Sequence, residues 1–389
     1  MKVLWLASWY PNKISPLDGD FVQRHALAVS EFASVSVIYV AQYGESVPNP
    51  QPEIVETANG AVKELRVYFT SLRTGIRVLD KLIYNWKYYH TYRSIIRSYF
   101  SEYGKPDLVH VHVPMKAGII ARWIKRRWKI PYVVTEHSAI YVPGPADAFD
   151  NRSFYFRQNV SAIFRAAAGV TSVSFHNGSI IKKLFGLKMM YTLHNVVDIK
   201  SFFYKPGVIG ARCRFIHVST MGFQKNTIGI LQVCAKLKMI REDWELELIG
   251  PPNAPVVDFI ENNELKNFVF VKGEVSNKEV ARQMQDASAL VMFSRYENFP
   301  CVIIEALCCG LPVVATNVAG IPEAVDASNG ILVESENEAQ LLAAMIEMIE
   351  RFHLFDGPGI AQKAAKKYNY NTIGKQFFDL YNAVVSSLK

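Results

Sequence analysis

The chain has 389 residues, half of them hydrophobic and a fifth charged, which is ordinary for a globular protein and long enough for two domains. Its five cysteines lie at apolar or strand-like positions and make neither a disulfide framework nor a CxxC metal pair, so a reducing compartment is the simpler reading. The net charge of +8 is uneven: 25 Lys/Arg face 14 Asp/Glu up to residue 200, and 18 face 21 beyond it. That asymmetry suits a first half facing an anionic surface or substrate, and no nucleic-acid motif accompanies it.

Taken in order, MKVLWLASWYP opens with a short apolar run that stops at Pro11-Asn12-Lys13 without a small-residue cleavage site. It reads as a buried strand of a cytoplasmic protein and not as a signal peptide. No later run reaches the eighteen or so residues of a membrane span. Strands are expected at Lys2–Ser8, Val35–Ala41, Leu65–Thr70, Leu108–His112, Tyr132–Thr135, Gly169–Ser172 and Met190–His194. Helices are expected at Phe21–Phe32, Leu79–Glu102, Lys116–Arg127, Arg152–Ala168 and His176–Leu184, and residues 42–64 read as a loop that could hold a hairpin. After a linker at Ile199–Gly210 with Pro206 and Gly207, strands follow at Cys213–Val218, Glu245–Ile249, Phe268–Lys272, Ala289–Phe293, Pro312–Ala315 and Gly330–Val333. Helices at Asn226–Met239, Val256–Asn262, Asn277–Asp286 and Ala339–Phe352 alternate with them, and Asn371–Leu388 is a last helix with no strand after it. This is the α/β pattern of two Rossmann-like domains facing across a cleft, at 1–200 and 201–370, with helix 371–389 packing back.

The most informative stretch is Ser294–Ala319, which reads strand end, loop, short helix, turn and strand. Glu297 stands at the loop mouth and Glu305 eight residues on, with a helix start between them that can offer N–H groups to an anion. Glu297-x7-Glu305 followed by Gly310-Leu311-Pro312 resembles the signature of retaining glycosyltransferases of the GT-B fold, family 4. The likeness extends through Gly19-Asp20-Phe21, Pro106–His112, Thr135-Glu136-His137, Asn195–Asp198, Lys225-Asn226, Leu248–Gly250 and Tyr368–Tyr370. It implies that the C-terminal helix returns toward the N-terminal domain.

The resemblance further implies a nucleotide diphosphate sugar as donor and a glycan or lipid-linked acceptor. No cofactor and no metal are expected, and the use is cell-envelope polysaccharide synthesis. Glu305 would hold the ribose and Glu297 the transferred sugar, with His137 contacting that sugar and Lys225 neutralising the diphosphate. Gly19 would allow close backbone approach. The family's Gly-Phe-Gly is Asn298-Phe299-Pro300 here, and Pro300 has no N–H, leaving Phe299, Cys301 and Val302 as phosphate donors beside Asn298. The arginine that precedes the lysine in the family is absent from Ser219–Gly222, so Lys225 acts alone or Arg24 or Arg295 supplies the second charge. His110 and His112, with Asp107 and Glu136, admit a metal-site reading, but His-x-His also suits a strand packed under the cleft. Lys81–Phe100 and Trp123–Lys129 mix aromatic and basic residues in a way that suits peripheral contact with an anionic membrane, or two helices with an aromatic core face. The alternatives kept are a nucleotide-sugar epimerase or hydrolase and a non-catalytic GT-B partner subunit. A dinucleotide oxidoreductase lacks its GxGxxG.

Overall fold

The computed structural model describes residues 1–45, 51–142, 145–206, 210 and 212–387. Two open sheets organise it. The first contains β1 (Lys2–Ala7), β2 (Ser34–Glu45), β3 (Glu53–Asn59), β4 (Val62–Ser71), β5 (Leu108–His112), β6 (Tyr132–Glu136), β7 (Gly169–Ser172) and β8 (Tyr191–Thr192). Their spatial order is β3-β4-β2-β1-β5-β6-β7-β8. Every pairing is parallel except β3 with β4, an antiparallel hairpin. The stretch read as a loop therefore does carry a hairpin, and residues 46–50 of it lie outside the described residues.

The second sheet is wholly parallel: β9 (Cys213–Val218), β10 (Trp244–Ile249), β11 (Val269–Gly273), β12 (Ala289–Met292), β13 (Val313–Thr316) and β14 (Gly330–Val333), in the order β11-β10-β9-β12-β13-β14. Strands covered on both faces must be apolar throughout, and β1 shows it. Leu4 and Leu6 enter one core with α2 (Arg77–Tyr103), α3 (Ala117–Trp128), α4 (Phe154–Ala166) and α5 (Phe175–Phe185). Val3, Trp5 and Ala7 enter another with α1 (Asp20–Ser30) and α12 (Tyr370–Ser386). In the second half, α6 (Thr227–Leu237), α7 (Ala254–Asn262) and α10 (Glu338–Arg351) cover one face of the sheet. The other face is covered by α8 (Asn277–Gln285), α9 (Cys301–Cys308) and α11 (Gly357–Tyr368).

The chain crosses between the sheets twice, before β9 and again at Asn369, whose side chain caps α12 by accepting from Thr372 N at 2.7 Å. Five buried side chains of α12 (Ile373, Phe377, Leu380, Tyr381, Val384) join the core of the first sheet. Burial of this kind is worth about 1.5–3 kcal/mol gross per large apolar side chain, which holds the helix on the far domain. Gly374 makes the contact with α1 possible, because a Cβ there would lie 2.1 Å from the Ala28 carbonyl oxygen.

The structure departs from or narrows the sequence reading at three points. The helix α11 is absent from the expected elements, and its start carries the turn-forming residues Gly357-Pro358-Gly359. Here Pro358 sits in the first turn, where it forfeits no hydrogen bond, and Asp356 caps it by accepting from Gly359 N. The expected strand Met190–His194 shrinks to Tyr191–Thr192, as His194 stacks on Phe299 of the second domain with ring centroids 4.5 Å apart. The aromatic residues that suggested a membrane face mostly point inward: Tyr88 and Tyr92 are buried, and Tyr84, Tyr89, Tyr99, Trp123 and Trp128 pack on the same core. Trp86 alone of that group stays well exposed, at 67 %. The linker residue Gly207 and the helix end Leu388 lie outside the described residues. Among the described residues no helix is long and apolar enough to cross a membrane.

Candidate active site

A cleft of about 1130 Å³ runs between the domains. Its walls come from segments just past the carboxyl ends of strands: Ser8 after β1, Val113 after β5, His137 after β6, Ser219 and Gly250 after β9 and β10, and Glu274 after β11. That is where open parallel sheets collect ligands, since the loops there converge and helix N-termini point at them.

Lys225, His137, Glu297, Asn298, Phe299, Cys301 and Val302 all line this cleft, whereas Gly19 and Glu305 do not. Lys225 sits in a short turn, and its Nζ donates to Glu297 Oε1 at 2.5 Å. The turn is pinned to the Glu297 loop: Arg295 N donates to Gln224 O at 2.8 Å and Gln224 Nε2 to Tyr296 O at 3.0 Å. Arg295 itself is spent on Glu336 and the Phe223 carbonyl, with its guanidinium 4.2 Å over the Phe223 ring.

The first turn of α9 begins at Cys301, and Pro300 provides no side-chain cap. Helix starts leave their first N–H groups without intrahelical partners, so this uncapped end faces the cleft with a partial positive charge. Glu305, one turn inside α9, is buried and pairs with Arg24 of α1, which also holds Asp20. Two charged contacts therefore flank the start of α9, one within the second domain and one across the cleft.

Gly19 adopts a left-handed conformation (φ +66°), and a Cβ there would lie 2.4 Å from the carbonyl carbon of Trp9. Its absence lets α1 start against the end of β1, with Asp20 and Phe21 on the cleft wall.

His137 follows β6. Its Nε2 lies 3.0 Å from His112 Nδ1, and its Nδ1 has no protein partner. His110 lies deeper, between Tyr381 Oη at 2.6 Å and Thr135 Oγ1 at 2.7 Å. Burial and the neighbouring imidazoles hold His110, His112 and His137 well below the ordinary histidine pKa. Burial likewise lowers His25 to about 4. The His-x-His pair thus packs beneath the cleft. Glu136 accepts from His137 N, Ser138 N, Ser138 Oγ and Tyr141 Oη at 2.8–2.9 Å and so shapes the loop that carries His137.

Sequence reasoning missed how the cleft is bridged. The Asn298 side chain is not free for a ligand: Nδ2 donates to His137 O at 3.0 Å and Ser138 O at 3.3 Å, and Oδ1 accepts from Ser174 Oγ at 2.6 Å. Asn195 Nδ2 donates to Phe299 O at 2.6 Å. Glu323 accepts from Phe175 N and His176 N, both at 2.8 Å, at the start of α5. Nothing local announces such long-range ties. The Asp20–Arg24 pair, spaced i,i+4 on a helix, was legible in principle.

Two Rossmann-like domains with a cleft at the facing strand ends define the GT-B architecture. Residues 37–201 match Glycosyltransferase Family 4 and residues 202–369 match the glycosyl transferases group 1, and the chain belongs to this glycosyltransferase family. It is 23% identical over 399 residues to the putative teichuronic acid biosynthesis glycosyltransferase TuaC of Bacillus subtilis, covering 97% of this chain and 95% of that one. The fold is similar to that of sucrose-phosphate synthase from Thermosynechococcus elongatus, with a TM-score of 0.80 at 17% identity over all of both chains. Anabaena HepE in complex with UDP gives a TM-score of 0.71 at 17% identity, over 98% of this chain and all of that one.

Proposed function

We propose that the chain is a retaining, metal-independent glycosyltransferase that moves a sugar from a nucleotide diphosphate sugar to a glycan or lipid-linked acceptor of a cell-envelope polysaccharide. The observation that carries this is the Lys225–Glu297 pair beside the uncapped start of α9, set inside the interdomain cleft. HepE, which shares the fold, has been solved with UDP-glucose, and TuaC is named for teichuronic acid synthesis.

In this reading the diphosphate lies at the N–H groups of Phe299, Cys301 and Val302, with Lys225 against its charge. Glu297 orients the hydroxyls of the sugar, His137 meets that sugar from the first domain, and Glu305 receives the ribose. Gly19 brings backbone close to the donor. The bond from the anomeric carbon to the leaving phosphate oxygen breaks as the acceptor oxygen bonds to the same face. The acceptor proton passes to the departing diphosphate. The protein contributes positioning, charge stabilisation and exclusion of water by domain closure.

The lipid-linked acceptor would reach the cleft from an anionic membrane. Exposed Val78, Leu82 and Trp86 form one stripe of α2, flanked by Arg77 and Lys81, a combination suited to headgroups and the acyl boundary. Sedimentation with phosphatidylglycerol vesicles should retain wild-type protein and release Leu82→Glu/Trp86→Glu.

The main test is a thermal-shift and calorimetric screen against UDP-, GDP- and ADP-sugars, followed by NMR of the anomeric configuration of the product. Binding of one donor raises stability by mass action, and a product of inverted configuration would overturn the retaining assignment. Glu305→Ala should weaken donor binding and Lys225→Ala should slow turnover. Unchanged donor affinity in Glu305→Ala would remove the ribose role.

A further inference from the structure

The carboxylate read above as the ribose site is already occupied by a cation from the opposite domain. Arg24 projects from α1, one turn past Asp20, and reaches α9, where Nη1 donates to Glu305 Oε1 while Nη2 donates to Asp20 Oδ2. The pair is withdrawn from water, with side-chain exposures of 13% for Arg24 and 8% for Glu305. A guanidinium has five N–H donors in a planar fork, and here Nε is buried without an acceptor. A buried donor of that kind is unfavourable unless a further acceptor arrives.

Arg24 and Lys225 also approach the same helix start, Arg24 through Glu305 of α9 and Lys225 through Glu297 in the loop before it. The Cys301 thiol, on the first residue of α9, experiences the charges of both, together with those of Glu305 and Asp20. Arg152, which lines the cleft, is held by Asp147, and Arg295, beside Glu297 in sequence, is held by Glu336 and a backbone carbonyl.

Resting on the donor reading above, we infer that Arg24 is a donor-binding residue supplied by the N-terminal domain: ribose hydroxyls displace its guanidinium from Glu305, and the freed Nη1 and unpartnered Nε turn onto the diphosphate opposite Lys225. Asp20 retains Nη2 throughout and anchors the side chain at the cleft wall. The exchange replaces one anionic partner of Arg24 by another, which a buried guanidinium requires, since removal of one member of a buried pair is strongly unfavourable. It also suits the side chain's chemistry, because the planar arginine fork presents separate N–H donors to a carboxylate and to a phosphate at once. Because α1 and α9 belong to different domains, the second cation reaches the leaving group only while the cleft is closed.

Calorimetry on the full chain tests this with nucleoside, nucleoside monophosphate and nucleoside diphosphate of uridine, guanosine and adenosine. The variants are Arg24→Lys, Arg24→Met and the double variant Arg24→Met/Glu305→Gln, which leaves no unpaired carboxylate on α9 if the single substitution misfolds. Arg24→Lys should lose about tenfold in diphosphate affinity, the worth of one charge-assisted hydrogen bond, while nucleoside affinity stays within about twofold. Equal losses for nucleoside and diphosphate would make Arg24 purely architectural and overturn the inference. So would diphosphate affinity at the wild-type level in all three variants. Failure of the wild type to bind any of the diphosphates would instead overturn the donor reading itself, and this inference with it.

Discussion

Asn298→Asp is the sharpest probe of how the domains are held, because it changes one atom's chemistry without changing shape. The native Nδ2 donates to the carbonyls of His137 and Ser138 across the cleft, and the residue is 5% exposed. In the aspartate variant an oxygen faces those two carbonyls. Two hydrogen bonds vanish, at about 0.5–1.5 kcal/mol each. Ser138 O keeps the donor Asn177 Nδ2 at 3.1 Å, so the His137 carbonyl is the group left bare, at about 1–3 kcal/mol. The sum is about 2–6 kcal/mol before the cost of a buried charge, which adds to it at neutral pH. The sign of the pH effect follows. A carboxyl in that place has its folded pKa raised above its unfolded value, so the protonated form, which can donate to His137 O again, is the better tolerated one. Its stabilising contribution is present at low pH and is lost as pH rises through the raised pKa. Urea midpoints of wild type, Asn298→Ala and Asn298→Asp should be compared at pH 5 and pH 8. The aspartate deficit relative to wild type should be larger at pH 8, and the alanine deficit should stay nearly constant. An aspartate deficit that is equal at the two pH values, or below about 1 kcal/mol, would refute the bridging geometry.

Gly19→Ala should destabilise by at least about 1–2 kcal/mol from the left-handed backbone alone, and by more because its Cβ meets the Trp9 backbone; a thermal midpoint equal to wild type would contradict the close approach of α1 to β1. Tyr381→Phe strips His110 Nδ1 of its 2.6 Å partner and should lower stability by about 1–3 kcal/mol, read as a urea midpoint with the far-ultraviolet spectrum unchanged. Wild-type stability should fall as pH drops below about 6.5, by up to ~1.4 kcal/mol per unit for each histidine kept neutral. His25, lowered to about 4 with Arg24 beside it, and His110, His112 and His137, lowered further, all act in that direction. Their stabilising contribution is complete above the unfolded value and drains away toward the folded ones. Burial raises the Glu136 carboxyl and so opposes this trend in acid, and a stability profile flat from pH 7 to pH 5 would count against the buried cluster.

How far the sequence could be read follows from the range of each interaction. The alternation of short apolar runs with amphipathic ones is a local signal, and it placed both sheets and the Ser294–Ala319 block with small boundary errors. The hairpin β3–β4 was only half visible, because Glu53–Asn59 is a mostly exposed edge strand with no apolar alternation to mark it. The helix α11 was hidden by glycines that are compatible with a helix only because Asp356 caps its start. The tyrosines of α2 show the opposite failure. Their mixture with lysine and arginine resembles an interfacial helix, and only the sheet beneath reveals that Tyr88 and Tyr92 face inward while the exposed apolar stripe lies nearer the helix start.

The site illustrates the same division at the level of charge. Glu297, Glu305 and Lys225 could be singled out by type and spacing, but their partners could not, because each pairing is set by tertiary packing between residues distant in the chain. Lys225 pairs within its own domain, 72 positions along the chain, while Glu305 pairs 281 positions away across the cleft. An ion pair that spans a cleft is broken by any opening of that cleft, whereas an intradomain pair is not. The Asn298, Asn195 and Glu323 ties set the closed arrangement, and the Arg24–Glu305 pair is the charged contact within it that a ligand with hydroxyls and phosphates can exchange. Opening therefore exposes a desolvated arginine and glutamate together, and an incoming donor that satisfies both makes closure more favourable than it is in the empty protein.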